Sequence, residues 1–333
     1  MTGLVMPHFP APFPEERNPH LDEASAAMWD WVRATGLAPT AAAGERLRRS
    51  GADLSGAYIW PRAGLDELTL GLKWLALTFP LDDFLDEGGA LSDVERRAVA
   101  VEGLVDLLHG RPSPVRGAAA EALASLWEET ALGTTEQWRS AFVRDFSLFL
   151  RSYADDAKLT AQDRLPTLDD YLPKRMYSVG TPWLWDLDEL RLPAVLPEPV
   201  RDCPVLHEVR TAGSLHIAMV NDVFSAPRER LTDYPHNAVF IVQRQFRCTV
   251  QAAVDHVAEL VAEQVGVFES ARERLLAKWE GQVDLAIVAD YASNVAAGMR
   301  GQLSWHQAVE RYEVDDLGAD VPTHGYPDDL IVV

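Results

Sequence analysis

The feature that most constrains the fold of this 333-residue chain is the period of its apolar residues, which is helical almost throughout. Apolar side chains recur at i, i+3, i+4 and i+7, whereas the alternation typical of a half-buried strand is nearly absent. The helical segments are residues 21–36, 40–50, 64–88, 91–110, 113–131, 134–158, 168–178, 199–230, 238–275, 283–297 and 299–312. Prolines and glycines fall between most of them and mark their ends. The sequence therefore predicts an all-α fold.

Several of these helices are apolar over more than one face. That pattern is typical of a bundle whose inner helices surround a cavity. We predict a single-domain helical bundle, residues 21–317, around a central apolar cavity. Residues 1–20 are rich in proline and phenylalanine and are predicted to form an extended arm. Residues 318–333 are predicted to form a C-terminal tail.

Charge limits the classes of partner that the chain can bind. The net charge is −21 and the pI is about 4.7. Nucleic acids and anionic membrane surfaces need a basic face, so neither is an expected partner. A metal-bridged anionic substrate remains compatible, because the metal supplies positive charge locally.

The expected compartment is the cytoplasm. The two cysteines, Cys203 and Cys248, do not form a C-x-x-C pair, which excludes a zinc ribbon or a redox motif of that kind. The first residues lack a basic segment followed by an apolar run, so no secretory signal is predicted. No stretch approaches the ~18 consecutive apolar residues of a membrane span.

The segment NDVFSAPRER, residues 221–230, carries the clearest chemical signal. Asn221, Ser225 and Glu229 are four residues apart, so a helix places an amide, a hydroxyl and a carboxylate on one face. Three oxygen ligands of this kind suit a hard divalent cation such as Mg²⁺. Arg228 and Arg230 beside them indicate an anion that bridges the metal, such as a diphosphate. Taken alone, the segment could equally be the solvated end of a helix.

A second acidic patch lies in LDDFLDE, residues 81–87. Asp82 and Asp86 are spaced i, i+4, where like charges repel on a bare helix, and a bound cation would relieve that repulsion. The largely apolar run 72–81 precedes them and would bury the same helix. Other aspartate pairs of this acidic chain lack both features, and we interpret them as solvated faces or caps.

Positive charge is expected from two further elements. Arg175 precedes a predicted helix break at residues 180–182, where backbone carbonyls of Ser178, Val179 and Gly180 would be left without helical partners. Near the C-terminus, an arginine and a tyrosine stand side by side at 311–312. Arginine binds phosphate through two N–H groups, and a tyrosine hydroxyl adds one donor.

Together these segments resemble the bacterial class I terpene synthases, also called terpene cyclases. LDDFLDE is similar to the aspartate-rich D-D-x-x-D motif, and NDVFSAPRE to the N-D-x-x-S-x-x-x-(K/R)-E metal triad. Arg175 lies 46 residues before Asn221, as does the diphosphate-sensing arginine of that family. Arg311 and Tyr312 match its C-terminal R-Y pair, with Trp305 six residues upstream. The order and spacing of four motifs make the resemblance specific, and it spans most of the chain.

The resemblance implies a class I terpenoid synthase fold of about a dozen helices, three Mg²⁺ ions and a linear isoprenyl diphosphate as substrate. It implies that Asp82 and Asp86 bind metal on one wall of the site, and that Asn221, Ser225 and Glu229 bind it on the opposite wall. The residues expected to bind diphosphate are Arg175, Arg228, Arg311 and Tyr312. The residues expected to help trigger ionisation are Arg175 and the helix-break segment Ser178, Val179 and Gly180.

Cyclisation of a carbocation needs an apolar pocket that excludes water, and aromatic faces stabilise a passing cation. Phe79, one turn before the aspartates, is the first candidate for the pocket wall, followed by Trp305 and Trp183; plain core packing is the alternative for each. Thr78 stands where many relatives carry an aromatic residue. Pro80 lies inside the predicted helix and clashes with the carbonyl of residue 76, so a kink is expected there.

Three activities remain open on this fold. The first is cyclisation of a C15 or C20 diphosphate, with farnesyl diphosphate as the default because the length and motifs resemble those of bacterial sesquiterpene enzymes. The second is prenyl chain elongation, which usually needs a second aspartate-rich motif. The third is a non-catalytic scaffold. No D-x-D-D string occurs, so protonation-initiated cyclisation is not supported.

The nine histidines show neither H-x-x-H nor HExxH spacing, and we interpret them as core or surface residues. The sequence leaves open whether the chain forms a homodimer.

Overall fold

The computed structural model describes residues 4–86, 91, 93–232, 234–312 and 325–333. Within these residues the structure contains helices and no strand, with an isolated bridge between Arg116 and Val332. The all-α class is therefore confirmed. The helices are α1 (Leu21–Thr35), α2 (Ala41–Ser50), α3 (Ala52–Ile59), α4 (Leu65–Asp86), α5 (Val94–Leu108), α6 (Ala118–Ala131), α7 (Glu136–Ala161), α8 (Leu168–Ser178), α9 (Thr181–Asp188), α10 (Glu198–Arg201), α11 (Pro204–Leu231), α12 (Ala238–Phe246), α13 (Val250–Trp279) and α14 (Leu285–Ala308).

The chain divides into two compact units, each assembled from segments that are distant in sequence. The first unit comprises Met1–Asn18, Tyr58–Ala63 and Leu165–Ala308. The second unit comprises Pro19–Ala57, Gly64–Arg164 and Val309–Val333. Residues 313–324, which include the junction of the predicted domain and tail, lie outside the described residues. None of the described helices combines the length and hydropathy needed to cross a bilayer.

In the first unit, α11 forms its most extensive packing with α13 and also contacts α14. Valines from α11, α12 and α13 make up much of the core, with Val223, Val239 and Val257 fully buried. β-Branched side chains lose little further freedom when they are packed, so this core holds α11 firmly.

Two glycines of α14 allow close approach to neighbouring elements. A Cβ at Gly298 would lie 2.9 Å from the Trp185 ring, and one at Gly301 would lie 2.8 Å from the Tyr58 carbonyl oxygen. A ring can shift, but a backbone carbonyl cannot move without the chain around it. Gly301 is therefore required for the packing of α14.

We expect Gly301→Ala to lower the free energy of unfolding by about 1–3 kcal/mol, the usual cost of overpacking. Gly266→Ala in α13 is the matched control, because its Cβ would meet nothing within 4 Å. Removing that mid-helix glycine should raise stability by about 0.5–1 kcal/mol. Urea unfolding of both variants measures the two changes in the free energy of unfolding. A Gly301→Ala variant that is more stable than the wild type would contradict the close contact between Gly301 and Tyr58.

Residues 4–18 form no helix and lie along the first unit. Phe9 and Phe13 are buried, with Phe9 next to the ring of Phe224 and Phe13 edge-on to Phe268. The Nε2–H of His216 in α11 donates to the Pro10 carbonyl at 3.1 Å. This segment is therefore held by aromatic burial and by hydrogen bonds, which include those of His216 with Pro10 and of Gln251 with Val5.

Acid should weaken the fold through His216. Burial lowers the pKa of this imidazole from 6.5 to about 4. Between these pH values the unfolded chain holds the proton and the folded chain does not, so stability falls as pH drops from 6.5 to 4. The shift corresponds to about 3 kcal/mol. When urea unfolding is measured from pH 7 to pH 4, the free energy of unfolding of the wild type should fall by about 3 kcal/mol more than that of His216→Gln, which cannot titrate. An equal fall in both proteins would contradict this prediction.

In the second unit, α4 is surrounded by helices and buries most of its residues. It packs against α1 and α6. Trp74 lies at an edge to Phe142 and Phe146 of α7, and its indole N–H donates to Thr130 at 2.9 Å. The helix contains Pro80 and continues to Asp86, so the acidic patch lies at the end of a buried helix, as its apolar lead-in predicts.

Some predicted boundaries were wrong. Residues 238–275 form two helices, because Arg247 adopts a left-handed conformation with φ of 51° and Thr249 caps the start of α13. Residues 285–308 form one helix where two were predicted. Two short helices, α3 and α9, had not been predicted.

Candidate active site

The residues singled out from the sequence fall into two sets, one in each unit. Those of the first unit are Arg175, Ser178, Val179, Gly180, Trp183, Asn221, Ser225, Arg228, Glu229 and Trp305. Those of the second unit are Thr78, Phe79, Asp82, Asp86, Arg311 and Tyr312. Glu87, the last acid of the aspartate-rich segment, lies outside the described residues.

The two adjacent aspartates of α4 have different surroundings. Asp82 is about one-third exposed and accepts hydrogen bonds from the Tyr153 hydroxyl at 2.9 Å and from Arg311 Nη2 at 2.7 Å. Asp83 is buried and binds Arg46 through both oxygens, at 2.6 and 2.9 Å. The Asp82 carboxylate is therefore more accessible to a metal ion than that of Asp83, which ties α4 to α2 through Arg46.

Arg311 connects the C-terminal segment to this patch. Its guanidinium lies 5.0 Å from the centre of the Phe79 ring and also contacts Asp83 at 3.2 Å. Phe79 and Asp86 are partly buried, and Thr78 is buried with its hydroxyl donating to the Leu75 carbonyl at 3.1 Å. The arginine that the resemblance assigns to diphosphate thus contacts a predicted metal ligand.

In the first unit, α11 carries Asn221, Ser225 and Glu229 one helical turn apart. Burial raises the pKa of the Glu229 carboxyl to about 7, a shift that the nearby charge of Asp222 adds to and that of Arg175 opposes. A cation bound to Glu229 would favour its charged form. Amide, hydroxyl and carboxylate oxygens on a partly buried face therefore fit a divalent ion.

Arg175 of α8 contacts this face directly. Its Nη2 donates to Asn221 Oδ1 at 2.7 Å, its Nε to Asp222 Oδ1 at 2.8 Å, and its Nη1 to Ser178 Oγ at 3.0 Å. One guanidinium thus joins a predicted metal ligand to the predicted helix break. No role had been predicted for Asp222, which is fully buried and also accepts hydrogen bonds from the Tyr171 hydroxyl and the Ala238 N–H.

The amide orientation of Asn221 follows from its partners. Arginine only donates, so Asn221 Oδ1 faces Arg175 and Nδ2 faces His306 Nε2, at 3.1 Å. His306 Nδ1 lies 2.7 Å from the Gln302 carbonyl, which accepts the Nδ1 proton and leaves Nε2 as an acceptor. His306 is indeed a core histidine, but its contact with the metal motif had not been predicted, because no spacing in the sequence signals it.

The predicted helix break lies where α8 ends at Ser178 and α9 begins at Thr181. Gly180 has φ of 87°, and a Cβ there would lie 2.8 Å from Trp183 Nε1, so both conformation and contact require glycine. Trp183 and Trp305 are buried, and Trp305 lies edge-on to His306. These contacts also suit the core-packing alternative for both tryptophans.

The remaining predicted anion ligands are Arg228 and Tyr312, which are both partly buried. Among the described residues, no three His, Cys, Asp or Glu side chains form a cluster that could hold a metal ion. A metal here would therefore depend on the Asn221 and Ser225 oxygens, and on substrate or water to complete its coordination.

Known proteins resemble this chain over most of its length. The family described as "Terpene synthase family 2, C-terminal metal binding" matches residues 73–266. The (2Z,6E)-hedycaryol synthase of Kitasatospora setae is 53% identical over 321 residues, 95% of each chain. A (+)-T-muurolol synthase of Roseiflexus castenholzii, described as (2E,6E)-farnesyl diphosphate cyclizing, is 26% identical over 94% of this chain and 93% of its own. A solved structure of hedycaryol synthase in complex with HEPES has a TM-score of 0.84 at 51% identity, covering 92% of this chain and 100% of that one.

Proposed function

Because the chain belongs to the terpene synthase family, we propose that it is a divalent-metal-dependent cyclase of farnesyl diphosphate. The allylic C–O bond breaks to give a carbocation and diphosphate, and the cation closes on its own double bonds. The cyclised cation then loses a proton to give a hydrocarbon, or captures water and loses a proton to give an alcohol. The relative at 53% identity is named a hedycaryol synthase, and another is named for cyclising farnesyl diphosphate. These names favour the C15 substrate over the C20 alternative.

The contact between Arg175 and Asn221 is the observation that carries this proposal. The Arg175 guanidinium, a group that can bind anions, lies 2.7 Å from the Asn221 amide oxygen, a group that can coordinate a metal. A diphosphate oxygen shared by a metal and an arginine needs both groups side by side. A surface arginine with only a solvating role would not be nine-tenths buried against this face.

We propose Asn221, Ser225 and Glu229 as one metal-binding set and Asp82 with Asp86 as the other, with three Mg²⁺ ions bound in the working enzyme. When bound, the ions neutralise diphosphate charge and make it a better leaving group. The protein would supply oxygen ligands from side chains on α4 and α11. Because both helices are largely buried, these side chains start from restrained positions.

Diphosphate is proposed to bind Arg175, Arg228, Arg311 and Tyr312. Arg311 donates to Asp82 and Asp83 in this structure, so a bound diphosphate would replace one or both carboxylates as the partner of the guanidinium. That exchange would release Asp82 to bind metal. Arg311 would therefore link diphosphate binding to metal binding by Asp82.

Arg175 also reaches the helix break through Ser178. Movement of the guanidinium toward diphosphate would pull on the end of α8, where Val179 and Gly180 leave the helical path. We propose that backbone carbonyls of Ser178, Val179 and Gly180 then face the developing cation. Phe79, Thr78, Trp183 and Trp305 are proposed as pocket residues that exclude water and, where aromatic, stabilise positive charge.

The test is incubation of the purified chain with Mg²⁺ and C10, C15, C20 or C25 diphosphates, followed by GC-MS of hexane extracts. A cyclic C15 product from farnesyl diphosphate is expected, and its loss on adding EDTA would confirm the metal requirement. Cyclic product from the C20 substrate alone would overturn the substrate assignment. Longer diphosphates formed only with isopentenyl diphosphate would identify a prenyltransferase, and silence with every substrate would favour a scaffold.

The expected cytoplasmic location and a homodimeric assembly belong to the same proposal. The free cysteines Cys203 and Cys248 agree with a reducing compartment such as the cytoplasm. Cell fractionation tests the first and light scattering of the purified chain tests the second.

A further inference from the structure

Asn237 joins α11 to α12 through both ends of its side-chain amide. It is fully buried, and its Oδ1 accepts the Val239 N–H at 2.8 Å, which caps the start of α12. Its Nδ2 donates to Glu229 Oε2 and to the Asp222 carbonyl, each at 2.7 Å. Because a backbone N–H only donates, the cap fixes the amide orientation and directs the nitrogen toward α11.

The same nitrogen lies 3.3 Å from Ser225 Oγ. Asn237 therefore touches two of the three oxygens proposed to bind metal on α11. A hydrogen bond to Glu229 Oε2 restrains the carboxylate that is proposed to bind the ion. Residues that hold metal ligands in this way strongly influence metal affinity even though they do not touch the ion.

We infer that Asn237 is a positioning residue that holds Glu229 and Ser225 ready for the divalent cation, an inference that rests on the proposed function. The hydrogen bond from the Val239 N–H holds the Asn237 amide in place. The amide nitrogen in turn holds the Glu229 and Ser225 side chains. The ion would otherwise have to order a flexible carboxylate when it binds, which costs affinity.

Asn237→Ser separates this role from capping, because serine is also a good N-cap but has no amide nitrogen to reach Glu229. We expect its affinity for Mg²⁺ with inorganic diphosphate, measured by isothermal titration calorimetry, to fall about 10–100-fold. The Mg²⁺ concentration for half-maximal turnover should rise to a similar extent, with kcat largely recovered at saturating Mg²⁺. Its Tm should change by only a few degrees.

Thr249→Ala is the matched control, since Thr249 caps α13 by accepting the Ala252 N–H at 3.2 Å. It should lower Tm by a few degrees without changing Mg²⁺ affinity. If Asn237→Ser binds Mg²⁺ and diphosphate as tightly as the wild type, the positioning role is refuted. Asn237→Thr, which also keeps a capping oxygen, decides the matter in the same assay if the serine variant does not fold.

The two proposals fail in different ways. A wild-type chain with neither Mg²⁺-dependent diphosphate binding nor turnover would refute the proposed function and the positioning role with it. A wild type that binds and turns over, beside an Asn237→Ser variant that does the same at equal Mg²⁺, would refute the positioning role alone.

Discussion

Replacing Glu229 with alanine is expected to abolish turnover while leaving the fold intact, and Asn221→Ala should do the same. Each change removes one of the oxygens on the α11 face that are proposed to bind metal. Metal coordination supplies several kcal/mol of transition-state charge stabilisation, and about 1.4 kcal/mol is tenfold in rate, so a loss of roughly 10³-fold or more in kcat/KM follows. GC-MS product formation from farnesyl diphosphate at saturating Mg²⁺ measures it.

The fold should survive because Glu229 is costly to bury. Desolvation raises its pKa to about 7, so the charge of this carboxylate contributes little to the stability of the folded chain. Circular dichroism melting should therefore give a Tm near that of the wild type. Glu263→Ala on α13 is the matched control, since this glutamate is exposed, and its turnover should stay within about twofold, as for most surface changes. Retained turnover in both Asn221→Ala and Glu229→Ala would rule out the metal role of this face.

The sequence predicted the geometry of the candidate site best where a single helix determines that geometry. The three oxygens of α11 lie on one face because 3.6 residues complete a turn, and no tertiary contact is needed to place them. The same holds for the break after α8, because Gly180 and Pro182 mark a helix end and a helix start locally. Pro182 also favours the first turn of α9, a helix that the periodicity did not reveal.

Sequence reasoning failed where the outcome depends on partners far along the chain. The neighbours Asp82 and Asp83 are chemically identical, and distant partners distinguish them: Tyr153 binds Asp82, and Arg46, 37 residues before Asp83, binds Asp83. The contact between Asn221 and His306 spans 85 residues. Such pairings are set by packing of whole helices, which a one-dimensional pattern does not contain.

The missed end of α12 has a different origin. No glycine or proline lies between residues 238 and 265, so nothing in the sequence around residue 247 opposed a single long helix. The chain nevertheless turns at Arg247, a non-glycine residue with φ of 51°, and Thr249 then starts α13. The buried faces of both helices are evidently worth more than the strain at one arginine, which is an energy balance between tertiary and local terms.

The contrast between Asp82 and Asp83 gives the second large prediction. Asp83→Asn should lower the free energy of unfolding by about 3 kcal/mol, because it breaks a buried ion pair and leaves the Arg46 charge without its carboxylate. Asp82→Asn should change stability by less than about 1 kcal/mol, since Asp82 is one-third exposed and its amide oxygen can still accept from Tyr153. Urea unfolding of the two isosteric variants measures this difference.

Turnover should rank these variants in the opposite order. Asp82→Asn removes the more accessible of the two carboxylates, which is proposed to bind metal, so its kcat/KM should fall on the order of 10²–10³-fold, as for loss of one major electrostatic contact. Asp83→Asn should keep most of the wild-type rate at temperatures where it stays folded, because its carboxylate is already bound to Arg46 and is not available to a metal. A stable, inactive Asp83→Asn beside an unstable, active Asp82→Asn would reverse the assignment. The two carboxylates are neighbours on α4, so this pair of measurements separates the aspartate that maintains the helix from the one that serves the reaction.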